Sequence, residues 1–288
     1  MESVTITAGG RSLSLVGRHP TYMQGIEGAN TDKGPIAAAI ADVPSDSTLL
    51  DVGANIGFTA LPMAVQRPDC RVVAFEPVPS NAECLRRNIQ DNSIENIEVI
   101  EAVVGDTAGT VEMSDNGPWS VASAGGTVRC RSIVLDDFCS ASTRFVKIDV
   151  EGYEPNVLAG AARLLNQPKP LIFIEFNTWT LLLHHYDPLS FAEALWSQCD
   201  IISLYFADKS QALPSTSLGF LHTNMTEHHL VSDILIRPRG ALDLGVMTKT
   251  PYTRHLEKEL KDLYPSPFGR IMSRLRASRR FFRRPVRF

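Results

Sequence analysis

No apolar run in this chain of 288 residues approaches the ~18 residues that a bilayer-spanning helix requires. Stretches such as LIFIEF at 171–176 and the TLLL that precedes His184-His185 are the size of a strand and of a helical turn. A basic flank followed by an apolar core is also missing from the amino-terminal residues, so neither a transmembrane helix nor a secretion signal is expected. Cysteine is scarce and odd in number. Cys70, Cys84, Cys130, Cys139 and Cys199 never stand in a Cys-x-x-Cys arrangement, which argues against a disulfide framework and points to reduced thiols of a cytoplasmic protein. Internal repeats are absent, and the one biased stretch lies at the carboxy terminus. Acids are missing there: Phe268 to Phe288 holds eight arginines and no Asp or Glu. Setting those eight aside from the 28 Lys and Arg leaves 20 bases against all 32 acids, so the rest of the chain has a formal net charge of −12 beside a basic tail.

What is present begins with the stretch LLDVGANIG at 49–57 and the stretch VVAFEP at 72–77. An apolar strand that ends in Asp51 and turns through glycine into a helix presents backbone N–H groups to a ligand, and an acid closing the next strand can accept both hydroxyls of a ribose. Glu76 holds that second position. The turn lacks the Gly-x-Gly-x-x-Gly spacing that lets a backbone close on a pyrophosphate, because Asn55 stands where the middle glycine would be. A cofactor with ribose and adenine but no phosphate, such as S-adenosylmethionine, fits the spacing better. A nicotinamide-dependent oxidoreductase is disfavoured on the same ground, and no Tyr-x-x-x-Lys stands directly after the fourth strand.

The hydrophobic pattern predicts an α/β fold with a doubly wound parallel sheet. A hairpin is expected around Gly9-Gly10, helices over 36–41, 58–66, 79–92, 153–165 and 190–198, and strands over 48–52, 71–75, 97–102, 145–149, 171–176, 201–206 and 230–236, with short β segments within 110–131. The last two strands, joined by a polar connection, suggest a final antiparallel edge. Residues 1–40 read as an amino-terminal cap, 41–240 as the core and 241–288 as an extension with the arginine-rich tail.

In an open parallel sheet, ligands bind beyond the carboxyl ends of the strands. Acids at those ends are therefore the candidates: Asp51, Glu76, Asp106, Asp149 with Glu151, and Glu175 with Asn177. Asp106 either accepts the adenine amino hydrogens or begins the turn 106–109.

The strings DVGANIGFTAL, VVAFEPVPSNAECLRRNI, AVVGD, FVKIDVEGYEPNVLAGA and IFIEF together resemble the FkbM family of S-adenosylmethionine-dependent methyltransferases, over about residues 45–177. The resemblance implies a seven-stranded, Rossmann-like class I methyltransferase sheet and methyl transfer to an acceptor oxygen, commonly a hydroxyl on a sugar or natural-product scaffold. It also implies that Asp51, Gly53, Ala54, Asn55 and Gly57 lie along the methionine part of the cofactor, Glu76 and Pro77 by the ribose and Asp106 by the adenine.

A hydroxyl is a weak nucleophile until a base or a metal takes its proton. Lys147, Asp149 and Glu151 alternate in KIDVEGYE and share a face as far as the strand persists. Asp149 is the first choice of base, and Lys147 pairs with the carboxylates. A competing use joins Asp149 with Glu175 and Asn177 as oxygen ligands for Mg²⁺. His184, next to His185 and Asp187, is a further candidate base or else a surface residue at a helix end. Trp119, Trp179, Tyr186 and Trp196 are sugar-stacking faces or core residues. Acceptor contacts are expected from 18–34, 112–130 and 178–228.

The expected partner is a small-molecule or glycan acceptor, with homo-oligomerisation left open. Nucleic acid is not expected, since no aromatic platform accompanies the basic charge. In the tail, Ile271, Leu275 and Phe282 form a helical ridge amid arginine. That suits peripheral contact with an anionic membrane surface, or else the tail is a solvated end touching the acidic body.

Overall fold

The computed structural model describes residues 1–113, 126–167 and 170–245. The amino-terminal strands β1 (Glu2–Ala8) and β2 (Arg11–Gly17) form the expected antiparallel hairpin, with Ala8 opposite Arg11. Its two-residue turn is built on Gly9 and Gly10, both at positive φ, the twist that a tight hairpin demands. Alternation buries Val4, Ile6, Ala8, Leu13 and Leu15 on the inner face. Helices α1 (Pro20–Ile26) and α2 (Pro35–Ile40) follow, each started by a proline whose missing N–H would have had no partner in the first turn.

The core then alternates: β3 (Thr48–Val52), α3 (Ala60–Gln66), β4 (Arg71–Phe75), α4 (Pro79–Asp91) and β5 (Ile97–Ile100). Next come β6 (Val103–Gly105), β7 (Gly109–Met113) and β8 (Val128–Val134), then β9 (Thr143–Ile148), α5 (Glu154–Ala159), α6 (Ala162–Leu165) and β10 (Leu171–Asn177). The last described elements are α7 (Thr178–Leu183), α8 (Pro188–Gln198), β11 (Cys199–Phe206), β12 (Lys209–Gln211), α9 (Ser217–Thr226) and β13 (Val231–Pro238).

The main sheet has the order β12-β11-β13-β10-β9-β3-β4-β5, with β5, β4, β3, β9 and β10 parallel and β13 antiparallel to its neighbours. Strand order reverses at β3, so the crevice between the carboxyl ends of β3 and β9 is where a ligand is expected. Strands β3 and β4 are buried almost throughout, and two large apolar clusters cover the faces of the sheet.

Four expectations change. The third strand stops at Ile100, and β6 leaves to join β8 and β7 in a separate three-stranded sheet. The expected helix over 153–165 is broken at Gly160-Ala161, where a Cβ on Gly160 would stand 2.1 Å from the Gly105 carbonyl oxygen. The final antiparallel strand is not at the edge: β13 inserts between β10 and β11, and an eighth strand, β12, forms the edge. Ala207 and Asp208, both at positive φ, make the two-residue turn before it; this pair lacks the Asn-Gly signature that reveals such turns. Finally, α9 lies in what reads as a polar connection. Its amino end is capped by Thr216 and its buried side carries Phe220, Leu221 and Asn224.

Among the described residues no helix is long and apolar enough to cross a membrane. The arginine-rich tail and Trp119 lie outside the described residues.

Candidate active site

The turn after β3 needs its glycines for space as well as for conformation. Gly53 has φ 85°, and a Cβ there would lie 2.0 Å from the Asp149 carbonyl oxygen. Gly57 has φ 95°, and a Cβ would meet Leu61 at 2.3 Å and Leu85 at 2.6 Å. Asn55 adopts φ 52°, which asparagine tolerates better than most residues. The amides are used differently from the sequence expectation. Gly53 N and Ala54 N both donate to the Phe75 carbonyl, Gly57 N donates to Ala54 O, and Asn55 N donates to Glu76 Oε2 at 2.8 Å. These four groups face the protein rather than a ligand, because the turn folds back onto the end of β4.

Glu76 is buried at that end. Its Oε1 accepts from Val78 N at 3.0 Å and from Asn81 Nδ2 at 3.3 Å. Burial pushes its carboxyl up to about 7, against the opposing pull of the Val78, Asn55 and Asn81 donors. Each carboxylate oxygen has two acceptor sites, so the group retains capacity for a hydroxyl donor.

Glu76 opens on a cavity of about 410 Å³ at the carboxyl ends of the strands. Gly53, Ala54, Asn55, Phe75 and Pro77 line it on the glycine-turn side; Val78, Asn81, Val103, Met113 and Tyr153 line another part. Tyr22, Ile26, Asn30, Thr31 and Ile36 of the amino-terminal segment, with Phe58 and Pro62, form a third. Lys147, Asp149, Glu151, Glu175, Asp208 and Asp233 complete the lining with charged groups. The volume suits a small-molecule ligand.

Lys147, at the end of β9, stands 3.2 Å from Asp51 Oδ1 and 3.6 Å from Asp149 Oδ2, and donates to Gly53 O at 2.9 Å. Burial alone would depress its ammonium, but Asp51 and then Asp149 outweigh that and hold it above the ordinary lysine range. Asp51 is fully buried and its carboxyl sits against Lys147, so it is a structural partner rather than a cavity residue.

Asp149, Glu151 and Glu175 each bring a carboxylate oxygen within 4.8 Å of the others. Strand alternation does not bring Glu151 there, since β9 ends at Ile148. The left-handed pair Glu151 (φ 54°) and Gly152 (φ 98°) does, and Glu154 Oε1 holds the turn by accepting from Val150 N and Gly152 N, each at 3.1 Å. A Cβ on Gly152 would lie 2.4 Å from the Thr180 backbone. The oxygen-only donor set of the three acids suits a hard divalent cation such as Mg²⁺.

Three sequence candidates stand elsewhere. Asn177 is the amino-terminal cap of α7, its Oδ1 accepting from Trp179 N and Thr180 N at 3.2 Å each, so its oxygen is turned to the backbone and away from the acid group. Asp106 is exposed beside Thr107 and does not line the cavity, because β6 has left the main sheet. His184 ends α7 against Tyr153, with ring centroids 5.7 Å apart. Burial pushes its imidazole down to about 4, and it is not a cavity residue. Trp179 is buried, Trp196 stacks on Phe220 and Tyr186 donates to Asn156; these are packing roles. Tyr22, Asp208 and Asp233 were not legible as site residues. Their only signal was membership in segments expected to touch an acceptor or to form a late strand.

S-adenosylmethionine fits these residues. Glu76 offers acceptor capacity for a ribose, and the buried Asn55 Oδ1, on the cavity wall, has no hydrogen-bond partner among the described residues.

Residues 51–193 match the Methyltransferase FkbM domain. A stretch of 76 residues is 33% identical to Methyltransferase sdnD of Sordaria araneosa, covering 26% of this chain and 29% of that protein. Another of 68 residues is 32% identical to the release factor glutamine methyltransferase of Escherichia coli (strain K12), covering 23% of this chain and 24% of that one. The chain thus spans under a third of the length of these curated relatives. Among solved structures, Methyltransferase FkbM from Methylobacillus flagellatus KT aligns at 25% identity over 46% of this chain and 33% of that chain, with a TM-score of 0.37. The domain match takes in the glycine turn, Glu76 and the three acids around the cavity, so residues 51–193 of this chain are similar to the FkbM methyltransferase domain.

Proposed function

We propose that the chain is an S-adenosylmethionine-dependent O-methyltransferase acting on a hydroxyl of a sugar, glycan or glycosylated natural product. The observation that carries this reading is one cavity lined both by Glu76 beside the glycine turn and by the carboxylates of Asp149, Glu151 and Glu175. In it, Glu76 accepts from the ribose hydroxyls, and the apolar patch of Val78, Val103 and Met113 with Tyr153 receives the adenine in place of Asp106.

When bound, the cofactor would supply an electrophilic methyl on a sulfonium, with a neutral thioether as the leaving group. Asp149 takes the acceptor's proton, while Glu151 and Glu175 accept from neighbouring hydroxyls of the acceptor and so orient it. Lys147 fixes Asp149 from behind at 3.6 Å. Where a divalent cation assists, Asp149, Glu151 and Glu175 hold it, without Asn177. A nitrogen acceptor is the second reading, favoured by the excess of acids over the single lysine in the lining.

Titration calorimetry with S-adenosylhomocysteine tests the cofactor, in the parent and in Glu76→Ala. Binding in the parent that the substitution weakens by tenfold or more supports the reading. No binding in the parent sinks it. Turnover of methyl glycosides against primary amines, with and without Mg²⁺, then separates the two acceptor classes, and Asp149→Asn must lose turnover while keeping cofactor affinity.

A further inference from the structure

The hairpin of β1 and β2 does not line the cavity, yet it is fastened to the loop that does. Asn88 of α4 is fully buried and spends its amide on two elements. Its Nδ2 donates to Val16 O at 3.0 Å and to Ile56 O at 2.8 Å, and its Oδ1 accepts from Val16 N at 2.7 Å. Val16 belongs to β2, and Ile56 stands between Asn55 and Gly57 in the glycine turn. A second contact runs alongside: a Cβ on Gly17 would lie 3.2 Å from Ile56 Cδ1 and 2.3 Å from Met23 Sδ. From Gly17 the chain passes directly into α1, which carries Tyr22 and Ile26 to the cavity wall.

We infer that Asn88 is a positioning residue coupling the cofactor loop to the amino-terminal segment, so that filling the cofactor site orders the wall against which the acceptor lies. This rests on the cofactor reading above. A loop held at Ile56 is held equally at Val16, and whatever restrains one end restrains the other. Asn92, one turn further along α4, supplies an internal control. It pairs with Ser14 N and Ser14 O and donates to Asn88 O, and among the described residues none of its hydrogen bonds reaches the glycine turn.

The test is hydrogen-exchange mass spectrometry of the full chain with and without S-adenosylhomocysteine, alongside titration calorimetry with the same ligand. In the parent, the ligand is expected to slow exchange across 11–17 and 20–26. Asn88→Ala is expected to weaken binding roughly tenfold, within the usual range of coupling between sites, and to abolish that protection. Asn92→Ala, which loosens the same hairpin, is expected to leave affinity within about twofold of the parent, the ordinary independence of uncoupled sites. Should Asn88→Ala fail to fold, Gly17→Ala carries the test, with weakened binding expected.

Three results overturn the coupling: ligand bound by the parent without protection of the hairpin, parent-like affinity in both Asn88→Ala and Gly17→Ala, or an equal loss in Asn92→Ala. A parent that binds no ligand removes the cofactor reading itself, and the coupling with it.

Discussion

The ammonium of Lys147 lies 3.2 Å from Oδ1 of Asp51, with both side chains closed off from solvent. The pair sits beneath the glycine turn, and the same ammonium reaches Gly53 O and Asp149. One buried charge pair therefore joins the ends of β3 and β9, where strand order reverses.

Lys147→Met leaves the Asp51 carboxylate buried without its counter-charge, which costs about 3–5 kcal/mol. Lys147→Met with Asp51→Leu is expected to recover much of that loss, because no uncompensated charge remains. Urea unfolding of the two variants checks this, and a loss below about 1 kcal/mol in the single variant would refute a stabilising pair.

Cofactor affinity is expected to depend on the ionisation of Glu76. A ribose hydroxyl donates best to the carboxylate, and this group is pushed up to about 7 by burial. S-adenosylhomocysteine binding should therefore weaken as pH falls below about 7, by up to tenfold per unit, since the site must first release a proton. Affinity that is level from pH 6 to 8 would count against it. The stability sign is the opposite one: with its folded value above the unfolded carboxylate value, this group's contribution is fully present in acid and is lost as pH rises to about 7.

Gly53→Ala combines a strained φ of 85° with a Cβ 2.0 Å from the Asp149 carbonyl oxygen. A loss of at least about 2 kcal/mol is expected, together with loss of S-adenosylhomocysteine binding, because the only relief is to part the turn from β9. Thermal unfolding with and without ligand reads both effects, and a parent-like ligand-induced shift in Tm would contradict them.

His184 is buried in its neutral form, with its imidazole pushed down to about 4. Its contribution to stability is complete above about 6.5 and is lost as pH falls towards 4, at up to about 1.4 kcal/mol per unit. His184→Leu should remove that part of the acid sensitivity while leaving cofactor affinity unchanged. An unchanged slope of unfolding free energy between pH 4.5 and 6.5 would rule it out.

Asn177→Ala removes the cap of α7 and should cost about 1 kcal/mol. Because the Asn177 oxygen faces Trp179 N and Thr180 N, the effect of Mg²⁺ on the protein should be the same as in the parent. Mg²⁺ titrations that differ between the two would restore Asn177 to the acid group.

Much of this was legible before any coordinate. The βαβ unit, the glycine turn and Glu76 all follow from patterns within a few residues of one another, and strands β3, β4 and β9 begin or end within a few residues of expectation. Elements whose signal is not local were missed. Ala207-Asp208 turns tightly without glycine, α9 shows its apolar side only when wound into a helix, and β6 departs for a partner, β8, that comes far later in the chain.

By itself the sequence determined the alternation of strand and helix, the place of the crevice at the strand ends and the acid, Glu76, that borders it, because periodicity and glycine spacing act over short stretches of chain. Only the tertiary structure decided which acids meet. Glu151 replaces Asn177 in the group because a left-handed turn swings one inward and a helix start holds the other on its own backbone. It also decided that the amino-terminal segment walls the cavity, since that depends on Asn88, and on Asp32, which accepts from Gly10 N at 3.0 Å and from Gln66 Nε2 at 2.9 Å, joining residues that are distant in sequence. Convergence of this kind is a property of packing, which no local pattern encodes.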